Sequence, residues 1–407
     1  MNVLLLTLLD FKSLEEHNIY SDLLREFARN GHSIYVVSPT ERRNHEQSYS
    51  IKTKDATILK VKTGNITKCN IVEKGISTIL IQEIFINGIK DYFSNTKFDL
   101  LLYSTPPVTF EKVIKFVKKR DHASTYLLLK DIFPQNAVDI NLLSKKGIRG
   151  IAYRFFRKKE KELYQISDYI GCMSQANVDY ILKHNPEISS NKVEVCPNSI
   201  EVNDKSLDKE RGIRIRKKYG IPLNKVVFIY GGNLGKPQGI PFLIECLKSQ
   251  EGNNNIFFLI VGNGTEYPKL KKYVEKFHPS YVKLMKGLSK EDYDNMVGAC
   301  DVGMIFLDHR FTIPNFPSRI LSYMHAKIPI IAVTDVNTDI GKIIVENRFG
   351  WWCESNNLRG FKRIIKNVIS CDRKELGNCA FNYLQERYEV KKTYKIIVSH
   401  LLDVGEV

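Results

Sequence analysis

Apolar runs of strand length alternate with helical stretches along this sequence, and the alternation starts twice. Residues 3–9 read as a strand buried on both faces, and the helix-like stretch 19–29 after it stops at Asn30-Gly31. Residues 33–38 give the next strand, and the order recurs with a strand at 99–103, a helix at 109–120, and strands at 126–129 and 169–173. Parallel neighbours need a crossover connection, so this order predicts a parallel sheet with helices on both faces. After Cys196-Pro197-Asn198-Ser199-Ile200 the chain turns polar and charged, then restarts on the strongly apolar stretch 226–230. The second series has helices at 241–248, 267–277, 290–298 and 318–326, and strands at 256–261, 282–285, 302–306 and 329–333.

We therefore expect an α/β protein of two Rossmann-like, doubly wound domains. Residues 1–200 form the first, residues 201–385 the second, and a C-terminal helix occupies 386–407. The stretch 374–402 is helical and amphipathic but too short to be a domain, and the sequence leaves open which domain it packs on. Return to the first domain is one option.

Composition narrows the class. At 407 residues, with 43% hydrophobic and 26% charged residues, the chain buries a real core and needs no disulfide or metal staple. Its net charge of +16 predicts attraction to an anionic partner: nucleic acid, a phosphate-rich ligand or an acidic membrane face. The eight cysteines include no C-x-x-C and no histidine-paired metal spacing, so they read as buried or incidental thiols. The opening has no basic leader before Asp10, and no later run approaches the roughly 18 apolar residues of a membrane span. A cytoplasmic protein with reduced thiols is expected.

Ligands of open parallel sheets bind at the carboxyl ends of strands, which directs attention to three loops of the second domain. In residues 230–239 (YGGNLGKPQG), Gly231, Gly232, Gly235 and Gly239 permit close backbone approach, while Asn233, Lys236 and Gln238 offer donors to phosphate or sugar oxygens. A plain glycine-rich turn would look the same. Residues 259–267 (LIVGNGTEY) hold Gly262 and Gly264 but carry Tyr267 where a third glycine would complete a dinucleotide fingerprint. In residues 315–332, Pro317-Ser318 opens a helix with Arg319 behind it, a place where free N–H groups and charge favour an anion; an ordinary cap with Arg319 in solvent is the alternative.

Together with RNGHSIYVVSP (29–39), KDIFPQNAVDI (130–140), CPNSI (196–200), GACDVGMIFL (298–307) and FGWWCE (349–354), these loops give the chain a specific likeness. It resembles the retaining nucleotide-sugar glycosyltransferases of the GT-B fold, in particular the bacterial capsule and O-antigen group that handles N-acetylated sugars such as N-acetylfucosamine. The resemblance implies two domains facing a cleft, a UDP-sugar in the second, and a lipid-linked saccharide acceptor presented by the first. It further implies a hexosyl- or N-acetylhexosaminyltransferase peripheral on the inner face of the cytoplasmic membrane. There the leaving diphosphate itself takes the acceptor's proton, with no cofactor beyond the donor.

Three departures accompany it. Where many relatives carry G-R-x-x-x-x-K-G, this chain has Asn233 and Gln238, leaving Lys236 and Arg319 to neutralise a diphosphate. The family's E-x7-E pair falls on Pro314 and Ser322, so Ser322 or Tyr323 would have to serve the ribose. The glycine pair usual after the first strand is replaced by residues 11–17.

In the first domain Asp131 ends an apolar strand, positioned to orient or deprotonate an acceptor hydroxyl, or else to cap the segment after Pro134. His17 and Glu16 are further candidates, although a histidine near a helix start is also an ordinary surface or capping residue. Asp292-Tyr293-Asp294 spells D-x-D, but on a helix, so no metal site is expected. Basic stripes at Lys112, Lys115 and Lys119, and at Arg154, Arg157, Lys158 and Lys161 beside Ile148, Ile151, Ala152 and Phe155, fit a helix lying on an anionic leaflet or acceptor. A solvated helix face fits them equally. The rivals are a UDP-sugar 2-epimerase of the same fold, a non-catalytic nucleotide-sugar-binding partner subunit, and a nucleic-acid-binding protein. No reader motif supports the last, and no nucleic-acid partner is expected.

Overall fold

The computed structural model describes residues 1–66, 71–203 and 207–402; Cys69 and residues 403–407 of the expected C-terminal segment lie outside them. The chain divides into two compact units, Met1–Glu201 with the residues from Val390 on, and Val202–Glu389.

The first unit begins with β1 (Asn2–Leu6), α1 (Ile19–Arg29), β2 (Ser33–Glu41), β3 (Tyr49–Lys52), β4 (Ala56–Thr63) and α2 (Ile71–Tyr92). It continues through β5 (Leu100–Ser104), α3 (Glu111–Asp121), β6 (Ser124–Leu129), α4 (Gln135–Asp139), α5 (Gly147–Ile166), β7 (Tyr169–Cys172), α6 (Gln175–His184) and β8 (Val193–Val195). Its eight strands lie in the order β3-β4-β2-β1-β5-β6-β7-β8. All neighbours are parallel except β3, which pairs antiparallel with β4 and corrects the expectation of a purely parallel sheet. The opening strand stops at Leu6 rather than running to Leu9, and Leu9 is exposed. A reciprocal cap starts α1: the Asn18 side chain accepts from the Tyr20 and Ser21 amides at 2.9 and 3.0 Å, and Ser21 Oγ accepts from the Asn18 amide at 3.0 Å.

The second unit runs α7 (Lys209–Lys218), β9 (Val226–Asn233), α8 (Ile240–Lys248), β10 (Ile256–Asn263), α9 (Tyr267–Phe277), β11 (Val282–Met285), α10 (Lys290–Gly298) and β12 (Val302–Phe306). It ends with α11 (Arg319–His325), β13 (Ile330–Thr334), α12 (Ile340–Glu346), β14 (Gly350–Glu354), α13 (Leu358–Ser370) and α14 (Arg373–Arg387). The strand order β11-β10-β9-β12-β13-β14 reverses direction between β9 and β12. Crossovers from those two strands leave toward opposite sides, so the loops after them part and leave a crevice at the sheet's carboxyl edge. Phe228, Phe258, Ile260, Met304 and Val333 fill the core beneath.

The last helix, α15 (Val390–Leu402), belongs to the first unit. Val390 and Ile397 are buried in that unit's core, Tyr394 meets Phe27 edge-on at 4.9 Å between ring centroids, and His400 Nε2 lies 2.7 Å from Glu194 Oε1. The single amphipathic stretch expected at 374–402 is thus two helices that serve different units.

Candidate functional site

At the crevice of the second unit, the carboxyl ends of β9 and β10 run side by side. Gly232 pairs with Gly262 and Asn233 with Asn263 in parallel register. The approach is so close that a Cβ on Gly262 would stand 1.9 Å from the Gly232 carbonyl oxygen, and one on Gly264 2.4 Å from that of Leu234. Gly262 and Gly264 therefore leave no room for a side chain where the two strands meet. Gly232 has φ +113°, in the region that favours glycine.

Two side chains from other elements come to this loop. The Arg319 guanidinium lies over the Tyr230 ring at 4.5 Å from its centroid and faces the open side of Gly232, whose Cβ position is 3.7 Å from Nη2. Its Nη1 is buried and has no hydrogen-bond partner among the described residues. Tyr293, from α10, brings its hydroxyl against Gly231, where a Cβ would come within 1.9 Å, and this buried oxygen has no hydrogen-bond partner among the described residues. Sequence patterns offered no signal for Tyr230 or Tyr293, because both are placed by tertiary packing.

The other expected donor contacts divide. Lys236 is exposed and free of ion pairs among the described residues, next to Pro237 in the turn. Gln238 is buried, and its Oε1 accepts from the Gly235 amide at 3.0 Å and from Asn233 Nδ2 at 3.2 Å, so these two side chains brace the loop from within. Gly239 turns at φ +57° against the backbone of Asp308, whose amide donates to the Pro237 carbonyl at 2.9 Å. Asp308 is clasped by Arg310 at 2.8 and 2.7 Å; burial pushes its carboxyl up, but these bonds prevail and hold it below the usual range. Ser318 and Pro317 open α11 with the Ser318 hydroxyl exposed and making no cap bond, and Ser322 is half-buried one turn on. Tyr323 is fully buried: its hydroxyl donates to the Met304 carbonyl at 3.1 Å and accepts from the Gly231 amide at 3.3 Å. That corrects its expected ribose role, since both bonding capacities are spent on the sheet.

Asp292 and Asp294 of the D-x-D stretch lie on α10, where they pair with Lys218 at 3.5 Å and with Lys290. The residues able to gather round a metal among those described are His17, Asp22 and Glu201. Arg25 already occupies their midst, 3.0 Å from Glu201 Oε1, 3.3 Å from His17 Nδ1, and bonded to Asp22. A cation is thus supplied by the chain itself, and the donor set does not suit a metal.

In the first unit, Asp131 follows β6. Thr105 Oγ1 accepts from the amides of Lys130 and Asp131, both at 3.1 Å, fixing the turn. Burial raises the Asp131 carboxyl to about 6 against the opposing pull of Lys130. Burial likewise lowers the Lys130 ammonium to about 7, with Cys196 and Asp131 opposing. Lys130 bonds Asn198 Oδ1 and lies 4.4 Å from the Tyr20 ring centroid. The sequence marks Lys130 only as Asp131's neighbour, because its burial comes from tertiary packing. His17 is drawn instead into the Asp22–Arg25 network, and Glu16 is exposed while its carbonyl accepts from Arg25 at 3.0 Å, so no described contact joins either residue to Asp131.

The expected basic stripes are partly consumed. Lys112 pairs with Glu83 at 2.9 Å, Lys115 with Glu111, Arg157 with Glu160 at 2.6 Å, and Lys161 with Glu187 at 2.9 Å. Lys119 and Arg154 make no ion pair among the described residues, and Lys158 makes one at 3.9 Å while staying largely exposed.

Comparison with known proteins gives this arrangement a class. Residues 213–382, the span containing all three loops, match the group 1 glycosyl transferases. The chain is 24% identical over 323 residues to a probable glycosyltransferase of Pseudomonas aeruginosa, WbjE, covering 79% of this chain and 78% of that one. Sucrose-phosphate synthase from Thermosynechococcus elongatus superposes with a TM-score of 0.78 at 12% identity, covering 99% of this chain and 98% of that one. HepE of Anabaena, solved with UDP and glucose, gives 0.70 at 14% identity, covering 99% and 100%. The fold is a two-domain α/β fold of the GT-B kind, and the matches together support a glycosyltransferase of group 1.

Proposed function

We propose that this chain is a retaining glycosyltransferase that moves an N-acetylated sugar from a UDP-sugar to a lipid-linked saccharide in capsule or O-antigen assembly, at the cytoplasmic face of a membrane. The observation that carries the donor assignment is Arg319: a guanidinium at the switch-point crevice, with a buried nitrogen unpaired, beside a glycine turn that leaves its face open. A buried donor left unmade costs about 1–3 kcal/mol, which a phosphate oxygen would relieve. Lys236 adds a second cation from the same turn. HepE, of like fold, is solved with UDP and glucose, which supports a uridine donor here.

In the reaction the bond from the anomeric carbon to the diphosphate oxygen breaks, and the acceptor hydroxyl oxygen bonds that carbon on the same face. The hydroxyl's proton passes to the departing diphosphate, whose charge is met by Arg319 and Lys236 without a metal or other cofactor. Asp131, its carboxyl raised to about 6, positions the acceptor hydroxyl. The test is release of UDP from a panel of UDP-N-acetylhexosamines, with proton NMR of the product's anomeric centre. Absence of turnover with every UDP-, GDP- and dTDP-sugar, in protein that binds UDP and is offered lipid-linked acceptors, would overturn the transferase assignment.

A further inference from the structure

The stretch 140–159 contains seven lysines and arginines and no acidic residue. Four large apolar side chains stand out of it into solvent: Leu142 is 52% exposed, Ile148 87%, Ile151 60% and Phe155 39%. Ile148, Ile151 and Phe155 follow one another at helical spacing on the outer face of α5, with Arg154 and Lys158 flanking them and Lys145, Lys146 and Arg149 at the helix's amino-terminal end. The opposite face of the same helix is buried through Gly150, Glu160, Leu163 and Tyr164. This is an exposed apolar row in a cationic frame.

We propose that this outer face of α5, with Leu142 ahead of it, inserts its apolar side chains into an anionic lipid leaflet while the surrounding cations meet the headgroups. An amphipathic helix lying in the interface needs both components: apolar side chains to enter the acyl boundary and cations to hold anionic headgroups. The cationic frame disfavours a second copy as occupant, because a two-fold interface would set this acid-free stretch against itself. The docking charges are Lys145, Lys146, Arg149, Arg154 and Lys158, whereas Arg157 and Lys161 are held by Glu160 and Glu187. Phe156, on the inner side of α5, meets Phe133 edge-on at 5.0 Å, two residues beyond Asp131. The lipid-facing helix therefore packs directly on the loop assigned to the acceptor. The proposal deepens the lipid-linked acceptor of the preceding section and rests on that reading for its purpose, but its test needs no turnover.

Co-sedimentation of the full chain with vesicles of phosphatidylcholine alone, or doped with phosphatidylglycerol, is compared at low and high salt for three proteins: wild type, Ile148→Ser/Ile151→Ser, and Arg154→Glu/Lys158→Glu. Wild type is expected to bind the anionic vesicles and to weaken with salt. The isoleucine variant is expected to lose on the order of ten-fold in partitioning at both salt levels, and the charge variant mainly at low salt. All three should keep the same UDP-induced thermal shift, which shows that they are folded. If none of the proteins shifts with UDP but the vesicle pattern holds, the surface stands and the donor assignment falls. Wild type that stays in the supernatant with anionic vesicles at low salt overturns the proposal. So does equal vesicle binding by all three proteins, or self-association in solution that the isoleucine variant abolishes.

Discussion

Arg319 and Asp131 show what single residues reveal before and after folding. Each is marked in the sequence by its place just after an apolar strand or at a helix start, but what makes them chemically distinctive comes from neighbours distant in the chain. Tyr230 lies under Arg319, and Lys130 beside Asp131 is buried by Tyr20 and Asn198. No local pattern encodes those partners. Asp131→Asn keeps the shape but removes the carboxylate that positions the acceptor, and transfer is expected to fall on the order of 10²-fold while UDP affinity is unchanged. Steady-state kinetics beside a binding isotherm checks it; equal losses in both would mean that Asp131 serves the donor site or the fold.

Lys130 gives a pH signature. Its folded value of about 7 lies below the ordinary 10.5 because burial disfavours the ammonium. Between those pH values the unfolded chain holds a proton that the folded chain has released, so this group makes stability rise as pH climbs from about 7 toward 10.5. Lys130→Met should flatten that rise, read from urea unfolding at several pH values. A slope identical to wild type would mean that the ammonium is not buried.

At the scale of elements, much was legible. α1, α9, β11, α10 and β12 have the bounds that their apolar period and flanking turns indicate. The sequence passed over β3, β4 and α2: β3 is a short, mostly exposed edge strand, and α2 carries apolar residues on every side, which blurs its helical period. The loop glycines were legible as close-approach positions, whereas the division of labour among them was not, because it depends on register between β9 and β10. The C-terminal pattern hid a change of unit, since α14 and α15 are separated only by Tyr388-Glu389. Ile397 on α15 is fully buried in the first unit. Ile397→Ala should cost about 2–5 kcal/mol in that unit alone, leaving the unfolding of residues 202–389 in place. Denaturant titration followed by hydrogen exchange separates the two, and equal destabilisation of both units would contradict the assignment of α15.

Over the whole molecule, the excess of 61 basic over 45 acidic residues predicts an anionic partner but not which one. The structure gives the charge two addresses, an inward cation at the crevice of the second unit and an outward acid-free stretch on α5 of the first. Among the described residues no helix is long and apolar enough to cross a membrane. The first measurement to make is UDP binding by thermal shift and calorimetry, with magnesium and with chelator, for wild type and Arg319→Ala. UDP at a hundred times its dissociation constant should stabilise wild type by about 2.7 kcal/mol, equally with and without metal. The substitution should weaken binding by roughly 10- to 100-fold, the worth of a charged hydrogen bond. No shift with UDP, a shift that needs magnesium, or an Arg319→Ala protein that binds like wild type would contradict a metal-free donor site built on Arg319.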